Sequence, residues 1–306
     1  MTTQTETETI LQAETRAARP GAAPRRRPRR SWSDVAFGVW GLIVMLFLFL
    51  PIIVIVVHSF NTGRLLAVWD GFGFDAFTSI LVKPAIQNAV RVSLITALIA
   101  AIIATVLGTL AGIAMARHPG RWVWWFLGLL LLVSVTPEIV DAVALLPFMV
   151  FLGQDLGLSM FNDGIVRLSV GSSLFATAVV SYIVRARLVG QDAQLEEASA
   201  DLYATPFTTF RRITLALAMP AVLAGFLLAF TLSLDNTIVA AFVQVSGTTP
   251  WPVYVLSALR TGLRPEIAAV STIMLLLTLV ALALVALVLK RAGDSATQIA
   301  RTMTGG

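Results

Sequence analysis

Three carboxylates stand inside long apolar runs. Glu138 and Asp141 interrupt residues 123–152, and Asp235, followed by Asn236, interrupts residues 215–245. An Asp at the centre of a membrane helix costs on the order of 2.5–3.5 kcal/mol, so acids at that depth need a use or a partner. Glu138 and Asp141 are three apart and share one helical face. Pro137 removes backbone hydrogen bonding just before them, which suits a broken helix lining a pathway. No Lys or Arg lies in the core of either run. Two readings follow. Either the acids line a path whose natural visitor is a cation, or they sit hydrated, Glu138 at the outer interface and Asp235 at the end of its span.

Other chemistry finds little support. The chain has no cysteine, so it offers no thiolate ligand or nucleophile. His58 and His118 are the only imidazoles and lie in different segments, which argues against a histidine metal site. Both lysines are in the wrong context for a phosphate-binding loop. Lys83 precedes Pro and Lys290 precedes Arg, whereas that loop needs Gly-Lys-Ser or Gly-Lys-Thr. No serine–histidine–acid set can be assembled. The expectation is a chain without catalytic residues, metal ligands or a bound cofactor.

The elements that carry these acids are membrane spans. Of 306 residues, 57% are apolar and only 13% charged, with a mean hydropathy of +0.85. Soluble domains carry about 25% charged residues. Six apolar runs cover residues 35–57, 92–116, 123–152, 168–184, 215–245 and 267–289. They predict an all-α polytopic membrane protein of six transmembrane helices. The first run exceeds a signal-peptide core and no small-residue cleavage site follows it, so it reads as a retained span. Placing both termini inside puts sixteen basic residues on the cytoplasmic side against six outside or at span edges, a positive-inside pattern. Residues 1–30 read as a disordered basic tail, 31–291 as the membrane domain and 292–306 as a cytoplasmic tail. The seven tail arginines, Arg16 to Arg30, read as a topology signal and lipid contact rather than a nucleic-acid surface. Trp122, Trp124 and Trp125 beside Arg121 read as an interfacial belt. Gly108 and Gly112 form a small-residue pattern suited to close helix packing, within the chain or against a partner chain.

Between the fourth and fifth runs lies a polar stretch. Residues 195–205 can form a short amphipathic helix. Leu195, Ala198, Ser199 and Leu202 fall on one side, Glu196, Glu197, Ala200 and Asp201 occupy much of the rest, and Pro206 stops it. An ordinary polar loop would have the same composition. The stretch is more specific than that, however. Glu197-Ala198, Asp201-Leu202, Phe210-Arg211-Arg212-Ile213, Leu215 and Met219-Pro220 resemble the coupling loop of permeases from binding-protein-dependent ABC importers. Pro51-Ile52-Ile53, His58-Ser59-Phe60-Asn61, Thr136-Pro137-Glu138-Ile139-Val140, Ser233-Leu234-Asp235-Asn236 and Arg264-Pro265-Glu266 extend the likeness to the second permease subunit of spermidine/putrescine importers, over roughly residues 35–290.

The resemblance implies a six-helix permease of the bacterial cytoplasmic membrane that moves polyamines by alternating access. ATP and magnesium belong on a partner ATPase dimer. The other partners implied are a second permease subunit and an extracytoplasmic binding protein. Glu196, Glu197, Ala198, Ser199, Asp201, Leu202 and Tyr203 form the implied coupling segment, with Glu197 as the docking glutamate. Glu138, Asp141, Asp235 and Asn236 are the candidate substrate path. Ser199 replaces a family Ala, Tyr203 its Gly, Ala216 its first Pro and Asn236 an acid. Without the Gly, the bend after the coupling helix is expected to shift to Pro206, or the loop to pack differently. A permease for an iron complex, thiamine or a phosphonate stays open, as does a secondary transporter, although the latter predicts inverted repeats and more spans.

Overall fold

The computed structural model describes residues 32–66, 68–189, 194–260 and 262–291. The expected tails at 1–30 and 292–306 lie outside them. The chain divides into two compact units at Val54 and Ile55. Helix α1, Trp32–His58, contains Pro51 and supplies the apolar segment of the first unit.

In the second unit, α2 (Asp75–Ile80) precedes the long α3 (Pro84–Arg117). Pro84 opens α3 at a position where a missing N–H costs nothing. Next come α4 (Arg121–Val135) and α5 (Glu138–Val150), a π turn at Phe151–Asp155 and a 3-10 turn at Ser159–Asn162. Helix α6 is Gly164–Val189, and α7 is the short Gln194–Asp201. The chain continues through α8 (Pro206–Thr209), a π turn at Phe210–Thr214 and α9 (Leu215–Asp235). Helices α10 (Ile238–Val243), α11 (Trp251–Ala258) and α12 (Pro265–Arg291) complete it. Among the described residues, five helices are long and apolar enough to cross a membrane, and the bent pair α4–α5 makes a sixth if it is one span.

The core is the packing of α3, α6 and α9. Helix α3 buries Ala97, Ala100, Ala101 and Ala104 completely. Small side chains let backbones approach where lipid gives no hydrophobic drive for association. Val180 of α6 is the knob of this contact. A Cβ on Gly108 would lie 2.7 Å from Val180 Cβ, and one on Gly225 of α9 would lie 3.1 Å from Val180 Cγ1. The Gly108–Gly112 pattern therefore serves packing of α3 on α6 within the chain.

Side-chain contacts hold α3 to the later elements. Ser93 Oγ accepts a 2.7 Å hydrogen bond from the Trp251 backbone N–H, and Lys83 forms an ion pair with Glu266 at the start of α12. Trp251 is buried at the start of α11 and stacks on Tyr254.

Two sequence-based boundaries change. The helix expected at 195–205 ends at Asp201, and Tyr203 takes a left-handed conformation with φ of 56°. The bend thus stays where the family has Gly and does not pass to Pro206. Pro206 opens α8 instead of closing α7, with Thr205 Oγ1 accepting from the Thr208 backbone N–H at 3.3 Å. Proline is well suited to a first helical turn, which is why the sequence alone reads either way.

Candidate translocation cavity and coupling site

Two breaks in the helices bring the acids together. The first lies between α4 and α5. Proline disfavours helical geometry in the residue before it, and Thr136 and Pro137 are both extended, with ψ of 130° and 128°. The two helices diverge by 102° at this point. Thr136 satisfies the end of α4, its N–H and Oγ1 both donating to Leu132 O at 2.9 and 2.7 Å. Glu138 is then the first residue of α5, with Asp141 one turn later.

The second break follows Asp235. Asn236 leaves helical geometry with ψ of 96°, and its Oδ1 accepts a hydrogen bond from Val239 N at 3.1 Å. Its carbonyl oxygen therefore caps α10. Thr237 Oγ1 donates to Asp235 O at 3.2 Å. Helix α10 can lie close to α6 because residue 171 is glycine: a Cβ there would stand 2.9 Å from Val239 Cγ1.

Between these breaks is a cavity of ≈ 370 Å³. Glu138, Asp141, Asp235 and Asn236 all line it, together with Ser134, Thr136 and Ser172. Leu145, Leu174, Phe175 and Leu232 supply apolar wall. No lysine or arginine lines it, and among the described residues no ion pair engages any of the three acids. Such a site suits a cationic guest with an apolar body: carboxylates for the charged groups, aliphatic and aromatic side chains for the rest. Ser172, Leu174 and Phe175 were not singled out from sequence. Their signal is weak, since only the run Gly171-Ser172-Ser173 departs from a plain apolar helix.

The predicted coupling segment divides into an inward and an outward face. Glu196 is half-buried, its Oε1 2.8 Å from Arg117 Nε and accepting from Thr214 Oγ1 at 2.8 Å. Ser199 is buried, its hydroxyl 2.6 Å from Thr209 Oγ1. Glu197, Ala198 and Asp201 are exposed, as are Leu202 and Tyr203 at 82% and 96%. The two sides expected from spacing are thus redrawn. Glu196 belongs with Ser199 on the inner face, while Leu195 and Leu202 stay outside. Arg117 and Thr214 were missed as its partners, because their proximity depends on tertiary folding. Among the described residues no cluster of three potential metal ligands occurs.

Comparison with known proteins supplies the context. Residues 108–296 match the model for the binding-protein-dependent transport system inner membrane component family. The chain is 36% identical to the putrescine transport system permease protein PotI of Escherichia coli over 242 residues, covering 77% of this chain and 85% of the relative. It is 34% identical over 249 residues to the spermidine/putrescine transport system permease protein PotC of Haemophilus influenzae, covering 81% and 94%. A bacterial ABC transporter involved in the import of alginate has a chain with the same fold, at a TM-score of 0.67 and 17% identity, covering 86% of this chain and 96% of that one. The chain belongs to the family of binding-protein-dependent transport system inner membrane components, the permease subunits of ABC importers.

Proposed function

We propose that this chain forms half of a pore that imports polyamines, spermidine or putrescine, across the bacterial inner membrane. The observation that carries the reading is the cavity. Glu138, Asp141 and Asp235 surround it without a basic residue among its walls, next to Leu145, Leu174 and Phe175. A polyamine is a set of ammonium groups joined by methylene chains, and both parts find complementary surface there. An anionic solute would meet three carboxylates. The relatives at 34–36% identity bear the names of putrescine and spermidine/putrescine permeases, which supports the same substrate class.

In this reading both termini face the cytoplasm, and α7 with the turn after it presents Glu197, Ala198, Asp201, Leu202 and Tyr203 to an ATPase subunit. ATP and magnesium are held by that ATPase dimer, not by this chain. A second, different permease subunit completes the pore, and an extracytoplasmic binding protein delivers the cargo. Closure of the motor on ATP displaces α7, and the helices rock between two access states.

The test is uptake by vesicles carrying the chain with its partner permease, ATPase and binding protein. Radiolabelled spermidine and putrescine compete with unlabelled cations and anions. Saturable, ATP-dependent polyamine uptake is expected. Uptake inhibited only by an anion or a metal complex would keep the importer and reject the polyamine.

A further inference from the structure

Neighbouring acids on α7 are used in opposite ways. Glu197 points outward, while Glu196 is closed into a joint. Arg117, its ionic partner, is the last residue of α3, and Arg117 Nη1 also donates to the Leu188 carbonyl near the end of α6 at 3.4 Å. Thr214, its hydrogen-bond donor, is the last residue of the π turn that feeds α9. One carboxylate thus ties α7 to the end of α3 and the start of α9, and Arg117 carries the link on to α6. The Ser199–Thr209 hydroxyl contact adds a second tie one turn along the same face.

The joint is shielded, with the Arg117 and Glu196 side chains only 11% and 23% exposed. An ion pair gains strength when water is held away. Helix α9 runs from this joint to Asp235, and its 21 residues span about 32 Å at 1.5 Å per residue. A continuous helix, with Pro220 near its start, therefore connects the joint with the acid-lined cavity. An eight-residue helix held only through the chain could swivel at the Tyr203 turn and absorb a push. Held at Glu196, it has to carry α3 and α9 with it.

We propose that Glu196 is a positioning residue that locks α7 to the bundle, so that a displacement of α7 reaches the cavity as one rigid movement. The inference rests on α7 being the helix that meets the motor.

The absence of cysteine makes a clean test possible. In vesicles holding the complete importer, uptake and ATP hydrolysis are measured together. Glu196→Gln keeps the side chain's shape and removes its charge. Uptake per ATP hydrolysed is expected to fall about tenfold. Ser199→Cys with Thr209→Cys places two thiols where hydroxyls already touch, within reach of a disulfide. Oxidation of that pair is expected to restore uptake per ATP in Glu196→Gln relative to its own reduced form, and reduction to remove the rescue. Unchanged coupling in Glu196→Gln, or no rescue on oxidation of its cysteine pair, overturns the inference. A parent complex that hydrolyses ATP without uptake of any polyamine overturns the functional reading instead.

Discussion

Glu138, Asp141 and Asp235 face a cavity that holds no basic residue among its walls, whereas Glu196 is closed against Arg117 and Thr214. Both groups are carboxylates at helix ends or breaks in a mostly apolar chain. The difference lies in who supplies the positive charge. At the joint the protein supplies it, and the acid becomes structural. At the cavity it does not, and each acid is left without an ionic partner that a visiting cation can supply. An internal partner makes a carboxylate a fastener, and the lack of one makes it a site.

The largest expected effect comes from giving the cavity its own cation. Asp235→Lys places an ammonium among Glu138 and Asp141. Setting like charges against each other costs several kcal/mol, so reversal should lower polyamine uptake by at least about a hundredfold. Asp235→Asn is expected to be milder, about tenfold, or roughly 1.4 kcal/mol. Vesicle uptake at matched membrane expression measures both. Equal uptake by all three proteins would make Asp235 merely hydrated and dissolve the contrast with Glu196.

Glu197→Ala tests the outward face. On the proposed function it removes a contact with the motor and leaves the Glu196 joint untouched, so uptake is expected to fall about tenfold while thermal stability holds within about 0.5 kcal/mol. Stability separates the two glutamates. Arg117→Gln, which leaves the half-buried Glu196 without its ion pair, should lower the melting temperature as well as uptake, with a loss of about 1–3 kcal/mol. If Glu197→Ala destabilises the protein and Arg117→Gln does not, the inward and outward assignments are reversed.

The third effect is a test of fit. Gly171→Ala sets a Cβ 2.9 Å from Val239 Cγ1, between α6 and the capped start of α10. Overpacking of this kind costs about 1–3 kcal/mol. The melting temperature should fall, and polyamine affinity should weaken because Val239 and Asn236 share the cavity wall. A neutral substitution would mean that α10 yields freely.

Most of the fold could be read from hydropathy, because a bilayer demands about 20 apolar residues per helix. Helix ends were less legible. Helix α3 begins at Pro84, not near residue 92, since its polar first turns, including Gln87, Asn88 and Arg91, carry no apolar signal. The four cavity residues stood out because acids and amides in apolar runs are costly, and the structure gathers all four around one space. Phe175 and Ser172 did not, because a Phe or a Ser is unremarkable within a span. The Glu196 joint was invisible for a different reason. Arg117 registered only as one more positive charge on one side of the membrane, and its pairing exists only once α3, α6 and α9 have packed.

The smallest expected effect concerns Tyr203, which follows Leu202 at the end of the outward face. Its φ of 56° is left-handed, and its side chain is 96% exposed. A non-glycine residue there costs roughly 1–2 kcal/mol of backbone energy, and the exposed ring recovers little of it by packing. Tyr203→Gly removes that penalty but frees the unfolded chain, which returns part of the gain. A net stabilisation of about 0.5–1 kcal/mol is expected in thermal unfolding. Uptake then decides what the ring is for. If the glycine variant is more stable and transports equally well, the aromatic is incidental to the bend. If it is more stable and transports less, the ring meets the motor, and the strain at this turn is kept because function needs the side chain there.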